Sequence, residues 1–321
     1  MNLNTTRITV LAAVAALAMP AAAQNASQPL VVKEQGSFFV GGEPKALVGG
    51  GDVTVNQMYV QYQAPAGGAA HVPVVMVHGC CLSSKTWETT PDGRMGWSEY
   101  FVRKGRAVYL AEQVSRGRSG FDAANLKQLS NIRVTSHQMA WFMFRLGPSF
   151  GTPWPDGQFP VEAVDELYKQ MIPDLNATLP QVNPTWINLA ALAVKLKGAI
   201  VMGHSQSGFF PELAALTNPA GVKGIVSIEM TCSPLSDAQM TTLARIPTLI
   251  VFGDHLDPMS LPALESCQKL VSQLKAKGGK AEMMDLPKLG IKGNSHMLMQ
   301  DRNNLQIADL ILNWIGKAVE R

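Results

Sequence analysis

The chain has 321 residues, with 27 Lys and Arg against 24 Asp and Glu and a formal net charge of +3. So near a balance of charge, and without a clustered basic run, the chain is not expected to bind nucleic acid. A hydrophobic content of 46% is ordinary for a globular core, and the length fits one large α/β domain or a domain with an insertion.

Residues 1–23 have the layout of a secretory signal peptide. Arg7 precedes an apolar stretch from Ile8 to Met19, and Ala21, Ala22 and Ala23 supply the small-residue end, which predicts a cut after Ala23. A periplasmic or secreted protein follows. That apolar run is too short to span a bilayer, and no other stretch is apolar for long enough, so no membrane partner is expected. In an oxidising compartment the four cysteines, Cys80, Cys81, Cys232 and Cys267, suggest two disulfides, with three pairings open.

From Gly36 to Gln63 the chain reads as paired strands, in which SFFVGG and VTVNQMYVQYQAP alternate apolar and polar residues between Gly-rich turns. The pattern then changes to short, nearly continuous apolar runs: VPVVMVHG (72–79), RAVYLAEQ (106–113), GAIVMGHS (198–205), GIVSIEM (224–230) and TLIVFGD (248–254). Such runs suit strands buried on both faces of a parallel sheet. Helical stretches such as LPALESCQKLVSQLKAKG (261–278) fall between several of them, and NNLQIADLILNWIGKAVE (303–320) makes a final amphipathic helix. This alternation predicts a mostly parallel, doubly wound α/β sheet.

The interval between Gln113 and Gly198 is far longer than one crossover helix needs. It holds Trp141, Phe142, Phe144, Phe150, Trp154, Phe159 and a helix-like VEAVDELYKQMI. We read 121–196 as a helical cap inserted into a core formed by 24–120 and 197–321. Most of these aromatics are expected to form the cap's own core, and some to line a substrate pocket.

Gly203-His204-Ser205-Gln206-Ser207-Gly208 directly follows the apolar strand AIVM. A Ser on a tight strand-to-helix turn projects its hydroxyl above the sheet, and small flanking residues let the backbone turn. The last position of Gly-x-Ser-x-Gly is Ser207 here, still a small residue. A serine needs a base, and in the Ser–acid–His chain order that base comes late. His296, in the loop GIKGNSHMLMQD before the final helix, fits that place, whereas His255 lies too close to a strand end that should carry an acid. Two places offer that acid. VFGDHLDPMS supplies Asp254 and Asp257 at the common position. Glu229 ends the preceding strand, where a charge between Ile228 and Met230 needs a partner. Glu229 is favoured, with Asp257 as the alternative. An oxyanion hole would take its two backbone N–H groups from Gln206, after the nucleophile, and from Cys80, after the His-Gly strand.

Taken together, VHGCCLSSKTWETTPDGRMGW, SRGRSG, GHSQSG, IEM and NSHMLMQD resemble a small group of secreted bacterial α/β-hydrolase esterases, from about Ser37 to the C-terminus. Their mark is a disulfide between adjacent cysteines at the oxyanion hole. The resemblance implies an α/β-hydrolase fold and a triad of Ser205, His296 and Glu229. It also implies oxyanion donors at Cys80 and Gln206, and a Cys80–Cys81 bridge that leaves Cys232 and Cys267 to pair with each other. The expected activity is hydrolysis of small-molecule carboxylic esters through an acyl-enzyme, with no metal or organic cofactor. Amides, lactones or polyesters are alternative substrates, and a non-catalytic exported binding protein is the rival from another class. Oligomeric state is left open, a homodimer included.

Overall fold

The computed structural model describes residues 28–68, 71–124, 130–258 and 260–320, and the expected signal peptide lies outside them. Two long strands, β1 (Val32–Ala46) and β2 (Asp52–Pro65), pair antiparallel, with Phe39 opposite Tyr59 and Val40 opposite Met58. The period-2 pattern of β2 carries Met58 and Val60 into the core. The central strands are β3 (Val74–Val77), β4 (Val108–Ala111), β5 (Ala199–His204), β6 (Val222–Ile228), β7 (Thr248–Phe252) and β8 (Ala281–Asp285). They complete one eight-stranded sheet in the order β1-β2-β4-β3-β5-β6-β7-β8. From β4 to β8 every pairing is parallel. This is the mostly parallel, doubly wound sheet of the α/β-hydrolase fold.

Each apolar run serves two cores because successive side chains point to opposite faces. Val74, Met76, Ile200, Met202, Val226 and Val251 share one core cluster with Trp97 and Phe101 of α1 (Trp97–Arg103) on one face. Val75, Val77, Val201, Ile225 and Ile250 face the other side. In chain order the remaining helices are α2 (His137–Met143), α3 (Val164–Lys169), α4 (Pro184–Lys195), α5 (Phe210–Thr217), α6 (Asp237–Leu243), α7 (Leu261–Ala276) and α8 (Asn304–Ala318). Ile307, Ile311 and Ile315 of α8 join the first face, and α4, α5 and α7 cover the second through Leu189, Phe210 and Leu270. Full burial of one such aliphatic side chain is worth about 1.5–3 kcal/mol.

The segment between β4 and α4 lies over the carboxyl ends of the strands. Its Gln158 N–H donates to the Gly293 carbonyl (2.8 Å), and its Ile172 N–H to the Cys81 carbonyl (2.9 Å). Trp141, Phe144 and Phe159 are buried there, whereas Phe142 and Phe150 are exposed. One boundary differs from the sequence expectation. Helix α4 falls inside 121–196, yet Leu189, Leu192 and Ala193 pack under the sheet, and Asn188 Nδ2 donates to the Asn56 carbonyl (2.9 Å). An apolar helix face shows that a helix is covered, not which layer covers it.

Candidate active site

Strand β5 ends at His204, and the chain turns at once into a single 3-10 turn over Ser205–Ser207 before α5. Ser205 sits at φ +57°, in the left-handed region that few side chains adopt. Gly203 makes the turn feasible, because a Cβ there would lie 2.0 Å from the Ser207 carbonyl oxygen. Ser207, which stands where the motif has Gly, is buried and used. Its Oγ accepts from the His204 N–H (3.1 Å) and donates to the Val77 carbonyl (2.9 Å), tying the turn to the end of β3.

His296 enters from the loop between β8 and α8. Its N–H donates to the Phe144 carbonyl (3.0 Å), and its carbonyl meets His204 Nε2 (2.8 Å). Asp301 fixes the loop from behind: its carboxylate accepts from Ser295 N–H, Ser295 Oγ and Asn294 Nδ2 at 2.6–2.9 Å. Burial raises the Asp301 carboxyl to about 6 against the lowering pull of those hydrogen bonds. His296 Nδ1 stands 3.1 Å from Glu229 Oε2. Glu229 follows β6 immediately, also in the left-handed region at φ +55°, and its side chain is almost wholly buried.

The sequence offered no sign of the group that makes this buried carboxylate tenable. Arg145, from the segment over the strand ends, donates through Nη1 to Glu229 Oε2 (2.9 Å) and through Nη2 to Oε1 (2.6 Å). The Gly253 N–H adds a third donor to Oε1 (2.6 Å). Burial by itself would raise the Glu229 carboxyl. The Arg145 charge and the His296 hydrogen bond outweigh it and hold Glu229 well below the usual carboxylate range. Arg145 Nη1 also lies 3.3 Å from His296 Nδ1. A protonated Nδ1 donates to Glu229, and this tautomer leaves Nε2 as the acceptor.

The loop after β3 packs against the same turn. A Cβ at Gly79 would lie 2.9 Å from the Ser205 Cβ, so only glycine lets the loop backbone come so close. His78 anchors it: the His78 Nδ1–H faces the Gly79 carbonyl (2.9 Å) and Nε2 accepts from the Gln113 N–H (3.1 Å). Acceptance at Nε2 needs a neutral ring, and burial, then the nearby Arg116 charge, lowers His78 to about 3. Cys80 is bonded to Cys81 across adjacent Cα atoms 3.8 Å apart, and Cys232 to Cys267. Of the three pairings open to the sequence, this is the one present.

A second buried pair braces both sides of the turn. Arg116 bonds Asp174, whose other oxygen accepts from Gln206 Nε2 (2.7 Å). The Asp174 backbone exchanges two 2.9 Å hydrogen bonds with Arg133. Asp257, the alternative acid, is exposed and accepts the Ser260 N–H (2.7 Å) at the turn before α7. Asp254 likewise accepts the Gly293 N–H (2.9 Å). Asp254, Asp156 and His255 form a cluster of metal-ligand type among the described residues. Its groups already have protein partners: His255 Nε2 meets Asp156 (2.9 Å), and the His255 ring stacks on Trp154. In the other such cluster, Cys80, Cys81 and Asp174, the disulfide consumes both thiols.

Ser205, Gln206, Cys80, Glu229, Arg145 and His296 line one cavity of about 360 Å³, with Met143, Phe209, Met230 and Phe252 as its apolar walls. Among the described residues, no helix is long and apolar enough to cross a membrane. No family model matches the chain. The atomic-resolution structure of a novel bacterial esterase is 46% identical and superposes with a TM-score of 0.87, covering 91% of this chain and 98% of that one. The probable secreted lipase phiG of a fungus (Fungal sp., strain ATCC 74256) is 27% identical over 337 residues, or 87% of this chain and 89% of the lipase.

Proposed function

Since the chain belongs to the esterase and lipase family of hydrolases and is a carboxylesterase-type enzyme, we propose that it cleaves esters through an acyl-enzyme on Ser205. His296 Nε2 takes the Ser205 proton as Oγ attacks the ester carbonyl. The same nitrogen then hands that proton to the leaving alcohol. Water, deprotonated by His296 in turn, cleaves the acyl-serine and releases the acid. Glu229 accepts from Nδ1–H and stabilises the imidazolium, and Arg145 keeps Glu229 ionised.

The oxyanion is held by the N–H groups of Cys80 and Gln206, and the vicinal disulfide keeps the first of these on a short, closed loop. The chemistry needs no metal and no organic cofactor. A cavity of about 360 Å³ is at the small end for ligand sites, which favours a small-molecule ester. The leader-like residues 1–23 support export to the periplasm or beyond.

One observation carries this reading: a 3.1 Å contact joins His296 Nδ1 to a buried carboxylate, in the cavity that holds Ser205. Intact-mass analysis after fluorophosphonate treatment tests it. The full chain should gain one adduct, mapped to Ser205, and Ser205→Ala should gain none and lose turnover. A chain that hydrolyses esters without taking the label at Ser205 contradicts the mechanism.

A further inference from the structure

Arg133 lines the same cavity as Ser205 and is exposed. Its backbone is not free to wander. Two hydrogen bonds hold it to Asp174, the residue that also holds Gln206, and Thr135 Oγ1 two residues on lies 3.0 Å from Cys81 Sγ. The guanidinium is thus presented by a strap tied to both halves of the nucleophile's surroundings. Its charge is unspent. Arg133 makes no ion pair among the described residues, and its one side-chain contact is Nη2 to Met143 Sδ at 3.5 Å, a weak acceptor.

The rest of the cavity does not balance that charge. Its one lining carboxylate, Glu229, is already bonded to both nitrogens of the Arg145 fork. The remaining walls are apolar or uncharged around Met143, Phe209, Met230 and Phe252, apart from His296. A guanidinium on an anchored backbone, with no ion pair among the described residues and an apolar pocket beside it, is a recognition element for a planar anion, which its fork meets with two hydrogen bonds.

We propose that the substrates are esters that carry a carboxylate, or an anion of like geometry, apart from the ester being cleaved, and that Arg133 binds that anion. The proposal rests on the Ser205 hydrolase reading above and names its substrate class. The reaction itself is unchanged: the ester C–O bond breaks, water adds across it, and the distal carboxylate stays intact.

The test uses the full chain and two matched pairs followed in a pH-stat. Monoethyl glutarate is compared with its carboxamide analogue, ethyl 4-carbamoylbutanoate, to place the anion on the acyl side. The acetate ester of 4-hydroxybutanoate is compared with that of 4-hydroxybutanamide, to place it on the alcohol side. In one pair the carboxylate should exceed the carboxamide in kcat/KM by about tenfold, discounted for the exposure of Arg133. That ratio should shrink at high salt. Arg133→Gln should bring it to about one, and Arg133→Lys should keep part of it, because charge survives while the fork does not.

If the carboxamides are cleaved as well as the carboxylates in both pairs, Arg133 is only a solvated surface residue and the proposal falls, while the hydrolase reading stands. A chain that takes the fluorophosphonate label but cleaves none of the four esters overturns the anion proposal alone. A chain that neither labels nor cleaves overturns both.

Discussion

Ser205, Glu229 and His296 stand on the ends of β5 and β6 and in the loop after β8, whereas Arg145 and Asp174 come from the segment laid over them. The sheet edge supplies groups with chemistry. The overlying segment supplies the charges that fix their state: Arg145 on Glu229, and Asp174 on Gln206. The two regions also differ in how they are held. Strand ends are set by continuous ladders inside two cores, while the segment is pinned by a few long-range bonds such as that from His296 N–H to the Phe144 carbonyl. A site of this kind can hold its geometry at the sheet and still lose its electrostatics from above.

The largest effect should come from the sheet side. Glu229→Gln should lower kcat by about 10³–10⁴-fold, since the imidazolium loses its counter-charge. Asp257→Asn, at an exposed turn, should stay within about twofold. Steady-state kinetics on one ester compares them, and the reverse order would move the acid to Asp257.

Next comes the overlying segment. Arg145→Met should cost about 3 kcal/mol in urea unfolding, because it strands a buried carboxylate, and should lower kcat by about 100-fold. Its pH profile separates charge from mere packing. With the cation gone Glu229 loses its strongest lowering influence, so its carboxyl protonates at higher pH and the acid limb of kcat moves upward. An unmoved limb would mean that Arg145 braces the fold without tuning the acid.

Asp174→Asn should weigh less on turnover, lowering kcat by about tenfold with KM little changed, as the Gln206 side chain loses its charged acceptor, while the buried Arg116 loses its counter-charge and stability falls by about 3 kcal/mol. Equal losses in kcat and in stability at the same substitution would blur the proposed contrast between the two regions.

The smallest effect on turnover is expected from a group in neither region. Glu212 in α5 is buried, and its Oε1 has no hydrogen-bond partner among the described residues. Burial raises its carboxyl from 4.5 to about 8. Between those values the folded chain holds a proton that the unfolded chain has lost, so stability falls as pH rises through that window. Glu212→Gln should remove this slope and be the more stable form at pH 9. Urea midpoints at pH 5 and pH 9 check it, and parallel slopes for both proteins would show that Glu212 is solvated.

Much of this was legible in local windows. VPVVMVHG, GAIVMGHS and TLIVFGD are strands because continuous apolar runs satisfy a sheet covered on both faces, and that requirement needs only a few adjacent residues. The turn at Ser205 is equally local, with Gly203 and Ser207 serving it within one helical turn. The layer of α4 was not legible, because its apolar face fits a cap and a sheet equally well.

What the chain's own order of residues determined, then, is what short-range backbone chemistry decides: strand periods, the strained turn and the small residues around it. Tertiary structure alone decided the partners. Arg145 meets Glu229 across 84 positions and His296 across 151, and nothing in FRLGPSF marks the arginine as theirs. A buried charge is tolerated only where the fold delivers its counter-charge, and delivery is a property of folded distance rather than of sequence spacing.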